Sequence, residues 1–217
     1  MSLLELKPRP LTRDKQTFRD DRLFIVGCDD TYAPDQYFSF FELSRVHVLV
    51  VPTKDSTSNA RAVLDRVLRI AIDEDDERWM VLDTDHFIRG RHLRSFRAAL
   101  KSAQAKGVNV ALSRPCFELW LLLHHADETE VAALVNADAV QLALRKKLGE
   151  YNKCKLKREH FSAECVARAC MRAERLDLAV RGGAIPSQNT TRVYLLWKAI
   201  LAKAQGALIP AELRNLV

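Results

Sequence analysis

Four short apolar runs, separated by helix-like stretches, constrain this fold more than any other feature of the chain. They read LFIVGC at 23–28, VHVLVVP at 46–52, WMVLD at 79–83 and VNVALS at 108–113. Consecutive rather than alternating apolar residues, many of them β-branched, are the mark of a strand buried on both faces. Pro52 closes the second run. A helical segment is expected around Asp35–Leu43. A second is carried by the spacing of Ala62, Leu64, Val67, Leu68, Ala71 and Ile72, with Ser56, Thr57 and Ser58 as candidate N-caps and the acidic run 73–77 (DEDDE) at its end. The third spans Leu93–Lys106, with Gly107 at its C-terminal end. The alternation βαβαβαβ predicts an α/β domain built on a parallel sheet with helices on both faces.

After Pro115 the pattern changes. Residues 116–125, CFELWLLLHH, are apolar nearly all round and predict a buried helix. Residues 138–149, 162–180 and 190–205 read as further helices, the last capped by Thr190 or Thr191. The expected organisation is an arm over 1–21, an α/β core over 22–126, and a helical, basic C-terminal part over 127–217 packed on that core. With 48% hydrophobic residues and seven each of Gly and Pro, the chain can bury a core and is not a linker.

Composition excludes several classes. Bilayer crossing needs roughly 20 consecutive apolar residues, and the longest candidate is Leu119–Leu123. The first residues lack the basic-then-apolar layout of a secretory signal. Five Cys without a C-x₂-C pair argue against a disulfide framework and a structural zinc site, so the cytoplasm is the expected compartment. The net charge of +6 favours an anionic partner. Its distribution says more: residues 144–175 hold ten Lys/Arg against four Glu. Run 73–77 has the opposite sign and reads as a solvated helix end.

Ligands of open parallel sheets sit beyond the carboxyl ends of the strands. The first strand ends in Asp29-Asp30 and the third in Asp83-Thr84-Asp85. If the two are neighbours, several carboxylates converge on one edge. Hard oxygen donors without His or Cys suit Mg²⁺ or Mn²⁺, and a cation relieves their mutual repulsion. Asp at a strand end also serves as an ordinary cap or turn residue.

These blocks resemble the RloB-like family. The run Ile25–Asp29 leading to Tyr37-Phe38, the strand ending Asp83-Thr84-Asp85, and the stretch Ser113-Arg114-Pro115-Cys116-Phe117-Glu118-Leu119-Trp120 through His124 carry the likeness. Tyr151-x-Lys153 and Asn189–Val193 extend it, over about residues 22–202. The resemblance implies a Toprim-like domain, Mg²⁺ (or Mn²⁺) held by Asp83 and Asp85, and Asp29 in the acid/base place. It also implies a nuclease role in bacterial defence against phage beside an ATPase partner protein. Asp29 stands where the family carries Glu, and Arg114 where it carries Asn.

Other residues complete the expectation. Glu118, on an apolar helix, needs a partner, and Arg114 one turn earlier is the candidate. Glu118 and His124 are counted as candidate catalytic residues beside Asp29, Asp83 and Asp85, with a salt bridge and a helix cap as their plainer roles. Arg145, Lys146, Lys147, Lys153, Lys155, Lys157 and Arg158 surround Tyr151 and suit a nucleic-acid contact, the ring stacking on a base. Arg168, Arg172 and Arg175 stripe one helix face and extend the patch. Trp120 and Trp197 read as core, and Cys116 as buried packing. The leading function is thus a metal-dependent nuclease on DNA or RNA. Two others stand beside it: a non-cleaving subunit that binds nucleic acid or a partner, and a phosphotransfer enzyme acting on nucleotides. Whether copies self-associate is left open.

Overall fold

A computed structural model describes residues 21–53, 59–85, 87, 92–180 and 184–216. The expected arm over 1–21 and the proposed caps Ser56, Thr57 and Ser58 lie outside them, Asp21 excepted. The chain runs β1 (Arg22–Cys28), α1 (Tyr32–Ser39), β2 (Val46–Val51), α2 (Ala60–Leu68), β3 (Glu77–Asp83), α3 (His92–Ala105) and β4 (Asn109–Arg114). Then come α4 (Glu118–Leu123), α5 (Glu128–Ala132), α6 (Ala137–Leu148), α7 (Ala163–Ala179), β5 (Thr190–Thr191) and α8 (Val193–Lys203).

The sheet order is β2-β1-β3-β4-β5. The four apolar runs pair in parallel, and β5 joins β4 antiparallel. The protein is therefore the expected α/β type with a mostly parallel sheet. Because the chain steps from β1 to β2 on one side and returns to β3 on the other, the connections diverge between β1 and β3. That divergence opens a crevice at the carboxyl ends of these two strands, where open α/β sheets take their ligands.

Strand residues alternate between two cores. Leu23, Ile25, Met80, Leu82 and Leu112 face α2 and α3. Phe24, Val26, Val81 and Ala111 face a larger cluster with Tyr37, Trp120, Val140, Cys170 and Trp197 from α1, α4, α6, α7 and α8. The C-terminal helices therefore share the sheet's core. Gly27 sets the approach of α2: a Cβ there would lie 2.9 Å from Val63 Cγ1 and closer still to Val67 Cγ2.

Several local readings need correction. Helix α1 starts before Asp35, because Asp30 Oδ1 accepts from Tyr32 N–H at 3.0 Å and Pro34 in the first turn needs no donor. Asn59 caps α2 by accepting from Ala62 N–H, and α2 ends at Leu68. The acidic run is therefore not a helix end: residues 73–76 form a loop and turn in which Asp76 accepts from Leu23 N–H at 2.7 Å and from Asp73 N–H at 3.0 Å, and Glu77 opens β3. Thr190 and Thr191 form a strand and α8 starts only at Val193, after Arg192; Thr191 Oγ1 meets Ser113 Oγ at 2.8 Å and also accepts from Val193 N–H at 3.4 Å, so it still serves the helix start. Gly107 takes φ +66°, as its place after α3 requires. Among the described residues no helix is long and apolar enough to cross a membrane.

Candidate functional site

The two acidic strand ends meet. Register places Cys28 opposite Val81, so the residues that follow each strand lie side by side. Asp29 Oδ2 accepts from Asp83 N–H at 3.0 Å, and Asp29 Oδ1 accepts from Asp30 N–H at 3.1 Å. Asp29 is thus a brace between β1 and β3 as well as a charge. The next two residues of the third strand's end are pinned by the following block: Thr84 N–H is shared by Ser113 O at 3.0 Å and Pro115 O at 3.1 Å, and Pro115 O also accepts from Asp85 N–H at 3.2 Å. The peptide between Arg114 and Pro115 is cis. The most distinctive block of the sequence therefore fixes the loop that presents Asp83 and Asp85.

The electrostatics are unfavourable for charge. Burial pushes the Asp29 carboxyl up to about 6, against the pull of the amides it accepts from. Asp83 is also raised well above the usual carboxylate range, first by burial and then by repulsion from Asp29, Glu118 and Asp85. Both residues keep part of their surface in solvent, but Asp83 Oδ1 is buried and finds no hydrogen-bond partner among the described residues. A buried, unpartnered carboxylate oxygen costs stability, and such groups ask for an explanation. Oxygen donors crowded in this way match the chemistry of a hard divalent cation. Among the described residues, no three His, Cys, Asp or Glu side chains already lie close enough together to hold one. The match is one of donor type and charge, not of an assembled cage.

A cleft of about 880 Å³ opens over this edge. Glu118, at the start of α4, is buried on its wall. It accepts from Tyr151 Oη at 3.0 Å and from Gln141 Nε2 at 3.2 Å. Arg114 turns away and donates to Pro186 O at 3.0 Å, so it is not the partner of Glu118. The long α6 and the turn after it reach back over the sheet edge, bringing donors that local sequence could not supply. Also lining the cleft, Lys153 Nζ contacts Asp30 Oδ2 at 2.7 Å and lies 5.7 Å from the centre of the Tyr32 ring. The bond to Asp30 holds Lys153 above its usual range.

A family model described as RloB-like protein matches residues 24–200. The chain belongs to the RloB-like family. No curated protein and no solved structure matches it.

The cleft of this RloB-like chain gathers Asp29, Asp83, Asp85 and Glu118 but not His124. His124 is fully buried among Tyr37, Trp120 and Phe161. Its Nδ1 lies 2.9 Å from Trp120 O, which only accepts, so Nδ1 carries the proton and Nε2 accepts from Tyr37 Oη at 3.0 Å. Burial drives its pKa down to about 3. The expected helix cap by an imidazolium is therefore replaced by a neutral ring that joins α1 to α4.

The basic run also divides. All seven of its candidate residues are exposed, yet Lys147 pairs with Glu130 and Lys157 with Glu150. Of the seven, Lys153 lines the cleft. Tyr151 is half-buried with its hydroxyl on Glu118, so it is not a ring held out for stacking. The arginine stripe of α7 serves the fold: Arg168 bonds Glu164, Arg172 donates to Leu123 O, and Arg175 meets Glu128. Cys116 is buried as expected, and burial raises its thiol. Tyr32, Gln36 and Gln141 line the cleft without having been expected there. The chain's Lys/Arg bias pointed toward residues 145–158, whereas nothing local marks single polar residues on an amphipathic helix.

Proposed function

We propose that this RloB-like chain is a Toprim-type, Mg²⁺- or Mn²⁺-dependent nuclease that cleaves phosphodiester bonds in DNA or RNA. The observation that carries the reading is Asp83: its buried carboxylate oxygen, without a hydrogen-bond partner among the described residues, stands at the switch point of the sheet, beside Asp29, Asp85 and Glu118. Asp83 and Asp85 would hold the ion, with Asp29 at its side. A bound divalent cation supplies neutralisation of the charge that develops on the phosphate and acidifies water near it.

The chain's own residues do the rest. Asp29, whose carboxyl burial holds above the usual carboxylate range, is placed to take a proton from an attacking water or to return one to the leaving oxygen. The pinned Pro115 carbonyl fixes the backbone that aims Asp83 and Asp85. Lys153 supplies a positive charge on the wall. The family resemblance supports a place in bacterial defence against phage, with an ATPase as partner protein.

Calorimetric titration with Mg²⁺ and Mn²⁺, with and without Asp83→Ala, tests the reading. Binding lost in the variant, together with metal-dependent cleavage of a DNA or RNA substrate lost with it, is the expected result. Absence of both in the wild-type chain, alone and with its partner ATPase, overturns it.

One observation favours a second reading, a subunit that binds without cleaving. Both oxygens of Asp29 are already engaged by backbone amides, and its side chain is one methylene shorter than the family's Glu. On that reading Asp29→Glu confers cleavage that the wild type lacks. On the nuclease reading the wild type already cleaves.

A further inference from the structure

We infer that Tyr32 and Lys153 form a nucleotide clamp on the wall of the acidic cleft, and that the polymer entering it is an unpaired strand of DNA or RNA rather than a duplex. The inference rests on the nuclease reading and names its substrate class.

Tyr32 opens α1, where the other two aromatic residues, Tyr37 and Phe38, are buried in the core. Tyr32 instead lines the cleft with 60% of its surface exposed. A ring so exposed on a cleft wall contributes little to packing and leaves surface open to a partner. Lys153 stands over that ring, 5.7 Å from its centre. The turn that carries Lys153 is held beside Tyr32 by side-chain-to-backbone bonds. Gln36, one turn along α1 from Tyr32, donates to Lys153 O at 2.7 Å and accepts from Leu156 N–H at 2.9 Å. The turn bearing Lys153 is therefore tied to the helix bearing Tyr32.

An aromatic face with a neighbouring cation is the pairing that single-strand binding sites use: the ring stacks a base and the cation meets the phosphate. The Lys153–Asp30 pair is exposed, so its contribution is small and an incoming phosphate competes with it readily. The cleft volume, about 880 Å³, suits a ligand of small-molecule size such as one or a few nucleotides. The carboxylates line that recess rather than a flat edge. In a duplex the base faces are already stacked and paired, and exposing one costs a flipping step.

The test uses the full chain and fluorescein-labelled oligonucleotides of about 12 residues, within the length range single-strand sites occupy. Binding of oligo-dT, oligo-U and a matched duplex is followed by anisotropy in Ca²⁺ buffer, and cleavage of the same probes in Mg²⁺ and Mn²⁺ is read on gels. The expected result is at least tenfold tighter binding of an unpaired probe than of the duplex. Tyr32→Ala weakens it about tenfold and Tyr32→Phe restores it. Lys153→Gln lowers the salt slope by about 0.7. The dT-to-U ratio tells DNA from RNA. Equal or tighter binding of duplex, or a Tyr32→Ala variant that binds like wild type, overturns the clamp. Cleavage without single-strand preference sinks the clamp and keeps the nuclease. Single-strand binding without cleavage does the reverse.

Discussion

Asp83→Asn removes a charge that the folded chain holds at a cost, and its effect on stability can be worked out. The Asp29 carboxyl beside it titrates near 6 instead of 3.8 through its own burial, whereas the Asp83 charge is disfavoured by burial and by repulsion from Asp29, Glu118 and Asp85, and its buried oxygen without a partner among the described residues costs about 1–3 kcal/mol. Solvent reaches part of both carboxylates, and screening leaves about 1–2 kcal/mol to be relieved by removing one charge. The sign follows from linkage. A carboxyl raised in the folded state binds its proton more tightly there than when unfolded. Its stability contribution is complete below about 3.8 and lost as the pH climbs through about 6. Asp83, raised in the same direction, behaves alike. Asp83→Asn is therefore more stable than wild type by about 1–2 kcal/mol at pH 8, with the gain shrinking toward pH 4. Urea denaturation at the two pH values measures it, as a midpoint shift at unchanged slope. Mg²⁺ should raise the stability of wild type but not of the variant, since only binding to the native state does so. A variant less stable than wild type at pH 8, or a gain that ignores pH, refutes the account of Asp83 as an unsatisfied, repelled carboxylate.

Three further outcomes are expected. Gly27→Ala lowers stability by about 1–3 kcal/mol, because its Cβ meets Val63 and Val67 on α2, and Val67→Ala in the same chain recovers part of the loss in a denaturation cycle. The His124 ring, held near 3, shows no titration by NMR between pH 5 and 8, and the fold loses stability as the pH falls below the ordinary 6.5. His124→Ala costs about 2–4 kcal/mol by leaving a cavity and an unpaired Tyr37 hydroxyl, and any loss of activity follows the folded fraction in a thermal melt. Tyr151→Phe costs about 1 kcal/mol by deleting a donor to Glu118, measured as a lowered melting temperature, while Arg114→Ala leaves Glu118 undisturbed.

Strand positions were legible because apolar runs without alternation stand out at 23–28, 46–52, 79–83 and 108–113; the second was expected to be buried, but β2 lies at the sheet edge and only its Val50 and Val51 are buried. The acidic ends of the first and third were legible for the same reason: Asp directly after such a run lies at the carboxyl edge. The buried helix at Glu118–Leu123 followed from its lack of a polar face. Helix limits were less legible, since Asn59 and the Asp30 side chain cap locally where several polar residues compete.

By itself, then, the chain's residue pattern determined the α/β class, the four parallel strands and the candidate acids Asp29, Asp83, Asp85 and Glu118. Only the tertiary structure decided which polar residues meet. His124 left the site for the core because Tyr37, far from it in sequence, offers it a buried donor. Glu118 took Tyr151 and Gln141 rather than Arg114, and Lys153 reached Asp30 across more than a hundred residues. Hydrophobic periodicity is a local property and can be read along the chain. The partner of a charge is set by which loops fold over the sheet edge, and that depends on long-range packing.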